Sequence, residues 1–163
     1  ADCTTAGCAH TLSIAGASGY WFTPTNFMGP YDNRYNSNEG RLLFAEAAKI
    51  RFISRAYDIA NSKLGTLTDQ SGTAINFGRA VGAFRYTYIN GTSEQIDKIF
   101  YVSNDGKLYC YKVSTGSDST CTNASLGPST SITTLHPAVL EMDESGSIYG
   151  ISNSGDSVFK YVP

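Results

Sequence analysis

The chain has 163 residues, a length that suits one domain with a substantial core. Charged residues make up 16% of it, against about 25% in ordinary soluble domains, and the net charge is −2 with no run of Lys or Arg. These figures exclude the basic footprint that nucleic-acid binding needs to release counterions, and no apolar stretch approaches the ~20 residues of a membrane-spanning helix.

Ser, Thr, Asn, Gly and 11 Tyr take the place of charge, as is common in extracellular proteins. Ala1 fits the first residue of a secreted product whose leader has been removed, so a secreted or cell-surface location is expected. Residues 1–38 read as an irregular arm, because Gly7, Gly16, Gly19, Pro24, Gly29 and Pro30 punctuate it every few residues. It contains Cys3, Cys8 and His10, and Trp21 lies in a Tyr-Trp-Phe run. The stretch from Tyr31 to Asn38 is polar and turn-rich, in keeping with a surface loop.

Residues 39–64 show a different pattern. Leu43, Ala47, Ile50, Ile53, Tyr57, Ala60 and Leu64 recur at spacings of three and four, which predicts one face of a long α-helix. Asn38 supplies an N-cap and Gly65 a stop. The run Ile50-Arg51-Phe52-Ile53-Ser54 also fits a strand, but Ala-rich, unbranched flanks favour the helix.

Beyond Gly65 the period falls to two. Phe84-Arg85-Tyr86-Thr87-Tyr88-Ile89 alternates and then turns at Asn90-Gly91. Asp105-Gly106 joins the runs Lys98–Val102 and Lys107–Val113 as a hairpin. A Ser/Thr-rich loop over 114–131 precedes runs at 138–142, 148–151 and 157–162, giving about six strands in an antiparallel meander over 79–163. The expected fold is therefore α+β in a single domain, with an irregular arm, one long helix and a meander packed on it.

Four cysteines, Cys3, Cys8, Cys110 and Cys121, form an even set with three possible pairings. Short loops cost least to close, which favours Cys3–Cys8 and Cys110–Cys121 as disulfides. Zinc ligation fits less well, because the C-x4-C spacing and the ten intervening residues of the second pair depart from zinc-site spacing. No metal and no cofactor are expected.

Catalytic signatures are missing from the sequence. Ser18 lacks the G-x-S-x-G context, no phosphate-binding glycine loop occurs, and His10 and His136 are the two histidines. Glu141, Asp143 and Glu144 have the composition of a turn rather than of a paired-carboxylate site, and no segment matches an EF-hand loop. No catalytic residue is assigned and no enzymatic activity is expected. Asn90 and Asn123 sit in glycosylation acceptor triplets. Tyr86, Tyr88, Tyr109 and Tyr111, with Trp21, are the candidate contact surface if their rings face outward, whereas core packing is the simpler reading of the stripe.

Two resemblances follow from these elements. Tyr101-Val102-Ser103-Asn104-Asp105-Gly106 through Val113 aligns with Gly150-Ile151-Ser152-Asn153 through Val162. This strand, Ser-Asn-x-Gly turn, strand unit resembles a blade of a quinoprotein-type β-propeller, implying sheets of four strands repeated side by side. The order helix, meander, cysteine-bracketed loop resembles the globular part of a type IV pilin or pseudopilin. That likeness implies a sheet packed on the helix, a loop between Cys110 and Cys121 on a filament surface, and a separate helix-bearing partner. The functional expectation is a non-enzymatic extracellular assembly subunit of a surface filament, with other protein subunits as partners. The alternative is a secreted adhesion or carbohydrate-binding module of propeller-like repeats with glycans as ligands.

Overall fold

Runs of β-branched, aromatic and other apolar residues, buried on one or both faces, fix most of the architecture. The computed structural model describes residues 20–21, 27–28, 41–54, 64–69, 71–90, 96–123, 130–132 and 134–163. Among these the fold is all-β, and the elements are antiparallel strands.

The first sheet contains β1 (Tyr20–Trp21), β2 (Phe27–Met28), β3 (Arg41–Glu46), β4 (Lys49–Ser54) and β5 (Leu64–Thr66). Its path runs β1-β3-β4-β5, with β2 also paired to β3. The central sheet is β6 (Val81–Tyr88), β7 (Ile96–Ser103), β8 (Leu108–Lys112) and β9 (Ser117–Thr120), in that order. The short strands β10 (Thr122–Asn123) and β11 (Thr130–Ser131) pair with each other. The third sheet is β12 (Leu135–Met142), β13 (Ile148–Ser152) and β14 (Val158–Tyr161).

The helix expected over 39–64 is not formed. Residues 41–46 and 49–54 are instead a hairpin in which Leu43 faces Phe52 and Ala45 faces Ile50. Leu43, Ala45 and Ile50 lie together in the core, so the alternating strand pattern outweighs the helical spacing. The α+β expectation is corrected to all-β. The hairpin closes through Ala47-Ala48, with Ala47 at φ 47°, and this pair carries none of the Gly or Asn that usually marks such a turn. Residues 55–63 lie outside the described residues.

The central sheet is buried on both faces. In β7, Ile99 and Tyr101 enter a first core, while Phe100 and Val102 enter a second. In β8, Tyr109 and Tyr111 belong to the first, and Leu108 and Cys110 to the second. Leu43, Ala45, Ile50, Leu67, Ile75 and Phe77 meet the central sheet in the first core. Leu135, Leu140 and Ile148 of the third sheet meet its opposite face in the second. The sheets thus stack as three layers with two interfaces.

A bulge makes the second interface possible. Between Val81 and Phe84 the register of β6 against β7 shifts by one residue, so Val81 points into the first core and Ala83 into the second. At the bulge, a Cβ on Gly82 would collide with the backbone oxygen of Pro137 in β12 and lie 2.8 Å from that of Val102. Glycine is required there because two backbones approach each other. Alongside, Arg85 of β6, 5% exposed, pairs with Glu141 of β12 at 2.7 Å, and its other terminal nitrogen donates to the Phe84 carbonyl at 2.7 Å.

Backbone hydrogen bonds tie the layers together at one end of the stack. Val81 donates to the Ala47 carbonyl at 2.7 Å, and Phe77 to that of Ala48 at 2.9 Å. Leu135 donates to the Gly106 carbonyl at 2.9 Å, next to Thr134. Ala47 and Thr134 are the non-glycine residues with positive φ among the described residues, at 47° and 68°. Each therefore sits in a left-handed conformation at a junction between layers.

Gly82→Ala is expected to destabilise the fold by about 1–3 kcal/mol, since neither backbone can retreat without opening the second interface. An unchanged urea midpoint would contradict this. Ala47→Gly should act in the opposite direction, raising the midpoint by the equivalent of up to about 1 kcal/mol as the left-handed strain is released. A lowered midpoint would show that the strain is absent.

Candidate functional site

Hairpin turns carry most of the exposed polar chemistry. In the turns at 69–73, 103–107, 143–147 and 152–157, the glycine N–H donates to the carbonyl of the opening residue at 3.1, 2.9, 3.0 and 2.9 Å. Gly106 and Gly155 adopt φ of 73° and 78°, which confirms that the repeated Ser-Asn-x-Gly segments form the same turn twice. Asp143 Oδ1 accepts from the Ser145 amide at 3.0 Å, the Ser145 hydroxyl at 2.6 Å and the Ser147 amide at 2.9 Å. Its Oδ2 accepts from the Tyr149 hydroxyl at 2.9 Å. Asp69 is held in the same way by Ser71 and Thr73.

These bonds favour the ionised carboxylate. The Ser145 hydroxyl, then the Ser147 amide and Tyr149, draw Asp143 down to about 2 against a burial effect of opposite sign. Ser71 and Thr73 lower Asp69, and Ser152, Ser154 and Ser157 lower Asp156. Asp143 therefore braces its turn, and its lone pairs are committed to that turn. Glu144 beside it is exposed.

A second constellation lies where residues 75–79 cover the central sheet. Tyr101 and Tyr109, opposite each other on β7 and β8, stack with centroids 5.3 Å apart. Phe77 meets Tyr101 and Tyr111 edge-on at 4.9 and 4.8 Å. The Arg79 guanidinium lies 4.0 Å above the Tyr109 ring, and its Nε is 3.4 Å from Asp118. Tyr101 donates to Asp118 and Tyr109 to Asp105, each at 2.6 Å. Burial, then the hydrogen bond to Asp118, pushes the Tyr101 hydroxyl far above its ordinary range, and burial with Asp105 raises Tyr109. Both phenols thus stay protonated as donors. The cluster fastens a loop to a sheet and leaves none of these hydroxyls ionised for chemistry.

The third constellation is sulfur. Cys110 on β8 and Cys121 just after β9, expected as a disulfide pair, are instead free thiols that hydrogen-bond each other, and Tyr161 of β14 hydrogen-bonds Cys121. Cys3 and Cys8 lie outside the described residues.

The other sequence candidates scatter. Tyr109 and Tyr111 are buried in the first core, and Tyr86 and Tyr88 pack half-buried against it, edge to face at 5.4 Å. Trp21 is placed in β1, where its backbone pairs with Ala45. Asn90 is exposed at the end of β6, and Asn123 falls in β10. His136 accepts from the Ala138 amide at 3.2 Å, a local bond at the start of β12. Among the described residues no three His, Cys, Asp or Glu side chains are grouped to hold a metal ion, and no helix is long and apolar enough to cross a membrane.

What remains is the outer side of the third sheet. Ile148, Gly150 and Ser152 of β13 face inward and are buried, so Tyr149 and Ile151 face out. On β14, Phe159 and Tyr161 pack on the second core, while Val158 and Lys160 face out. Val158 and Val162 are 73% and 68% exposed, the two large apolar side chains so exposed among the described residues. The β14 edge away from β13 pairs with no other described strand. The strand at 157–162 and the use of its edge for pairing are legible in the sequence, but which of its side chains face out is not. What distinguishes this surface is the layering, in which the described residues cover one face of the sheet and not the other.

No family model, curated protein or solved structure matches the chain.

The lowered Asp143 sets a pH dependence. Its folded-state value lies below the unfolded 3.8, so its contribution is complete above the ordinary carboxyl range and is lost as pH falls through about 2. Carboxyl NMR should give a midpoint near 2 for Asp143, moving up toward 3.8 in Ser145→Ala. An ordinary midpoint in the wild-type protein would contradict the bonded turn.

Proposed function

We propose that this chain is a non-enzymatic extracellular assembly subunit that associates through the open face and edge of its third sheet. The observation that carries this reading is the β14 edge, which pairs with no other described strand, together with the exposure of Val158 and Val162, at 73% and 68%. An edge strand offers a row of backbone donors and acceptors, and exposed valines supply apolar area that is lost from water on contact. The partner that fits is a second copy of this chain.

The extracellular placement rests on low charge, hydroxyl-rich surface and abundant Tyr. The β6–β7–β8 and β12–β13–β14 units share strand order and turn, which supports reading them as blade-like repeats. Glycan binding is the weaker reading. A stacking platform needs open rings, yet Tyr101, Tyr109 and Tyr111 are buried and Lys160 Nζ lies 5.3 Å over Tyr149.

Sedimentation velocity across a concentration series tests the proposal. The wild-type chain should form dimers or larger species, and V158K/V162K should weaken association by about tenfold or more while leaving the fold intact, as loss of central apolar contacts does. A wild-type protein that stays monomeric at the highest concentration overturns it.

A further inference from the structure

The register of the central sheet places Cys110 and Cys121 on one face as diagonal neighbours. Cys110 pairs with Phe100 on one side and with Ser119 on the other. Cys121 lies two residues beyond Ser119, and its amide donates to the Leu108 carbonyl at 2.9 Å, which continues the ladder. Two residues along a strand return to the same face, so both sulfurs join Phe100 and Leu108 in the second core.

The two thiols are unequal. Cys121 is 3% exposed, whereas Cys110 is only partly buried. The hydrogen bond from Cys121 holds the Cys110 thiol below its ordinary range, opposed by burial and Asp97 and aided by Lys98. The same bond and burial push Cys121 up, with Tyr161 acting in the opposite sense. A partly buried thiol held below its ordinary range beside a fully buried, protonated thiol is the arrangement of an attacking and a resolving cysteine.

We propose that Cys110 and Cys121 form a thiol–disulfide exchange site for small disulfides of the glutathione type, with Cys110 as nucleophile and Cys121 as resolving thiol. The Cys110 thiolate attacks one sulfur of the small disulfide. The sulfur–sulfur bond breaks, and one thiolate leaves with the electron pair and takes a proton from water. Cys121 then gives up its proton to solvent and attacks the Cys110 sulfur, expelling the second thiolate, which is protonated in turn. Two cysteine thiols are oxidised to one disulfide, and one small disulfide is reduced to two thiols.

Diagonal strand positions stand at about 7–8 Å between Cα atoms, just beyond the roughly 4.4–6.8 Å a disulfide spans, so closing the bond requires the backbone to move. Closing the bond draws Cys121 toward Cys110 on β8. Cys121 is the last residue of that ladder, between β9 and β10, so the move strains its bond to Leu108 rather than the middle of the sheet. A bond formed against such resistance is readily reduced, which makes the site reversible rather than a permanent staple.

The test uses the full chain, reduced under native conditions, then incubated with excess oxidised glutathione, alkylated and mapped by peptide mass spectrometry. The expected product joins the Cys110 and Cys121 peptides, and added reduced glutathione returns both thiols without unfolding. Cys121→Ser should trap glutathione on Cys110, whereas Cys110→Ser should leave Cys121 unmodified at least about tenfold longer, as its burial requires. Near-ultraviolet circular dichroism establishes that each variant is folded, and the wild-type mapping decides the matter if one is not. Two thiols that remain alkylatable in the wild type, a link that reduced glutathione does not open, or equal adduct rates in the two variants would each overturn the proposal.

Discussion

Burial of the central sheet on both faces is the constraint on which the rest of the structure depends. A strand with one wet face alternates apolar and polar residues, but β7 runs Ile99, Phe100, Tyr101, Val102 without interruption, each at 1% exposure or less. Successive side chains serve opposite cores, so neither neighbouring sheet can leave without exposing half of them. Fully burying one such side chain contributes about 1.5–3 kcal/mol. Net stabilities are only about 5–15 kcal/mol, so a few of these residues equal the whole margin. The Gly82 bulge, the Arg85–Glu141 pair and the Arg79 brace all follow from seating a layer on each side of this sheet.

The sequence makes that sheet legible because its signals are local. The Asp105-Gly106 turn and the flanking runs of aromatic and β-branched residues fall where β7 and β8 form, and the repeated unit falls on β13 and β14. The β3–β4 hairpin is hidden for an equally local reason. Its turn is Ala-Ala, and Leu43, Ile50 and Ile53 happen to stand at spacings that also suit a helix. Residues 114–131 read as one polar loop, yet β9 (Ser117–Thr120) lies within them. Its Ser, Asp and Thr side chains need no apolar signal, because the strand is an edge held by β8. The layering itself leaves no local mark, since tertiary packing alone decides which face of a strand is covered.

The same distinction explains the candidate sites. Tyr109 and Tyr111 are visible in the sequence as a stripe of rings, and their environment comes only from Phe77 and Arg79, which sit more than twenty positions earlier. Asp143 stands out in sequence as a carboxylate beside another carboxylate, whereas in the structure its oxygens are engaged by the turn. The assembly reading proposed above therefore rests on the exposed side chains and edge of β14 rather than on a titratable residue.

Hydrogen–deuterium exchange, followed at low and at high protein concentration, tests this account most directly. Amides of β7 (Ile96–Ser103) should exchange slowest at both concentrations, and those of β14 (Val158–Tyr161) should exchange fast when dilute and slow as the third sheet finds a partner. Exchange at β14 that does not change with concentration, or β7 amides that exchange as fast as those of β14, would contradict it.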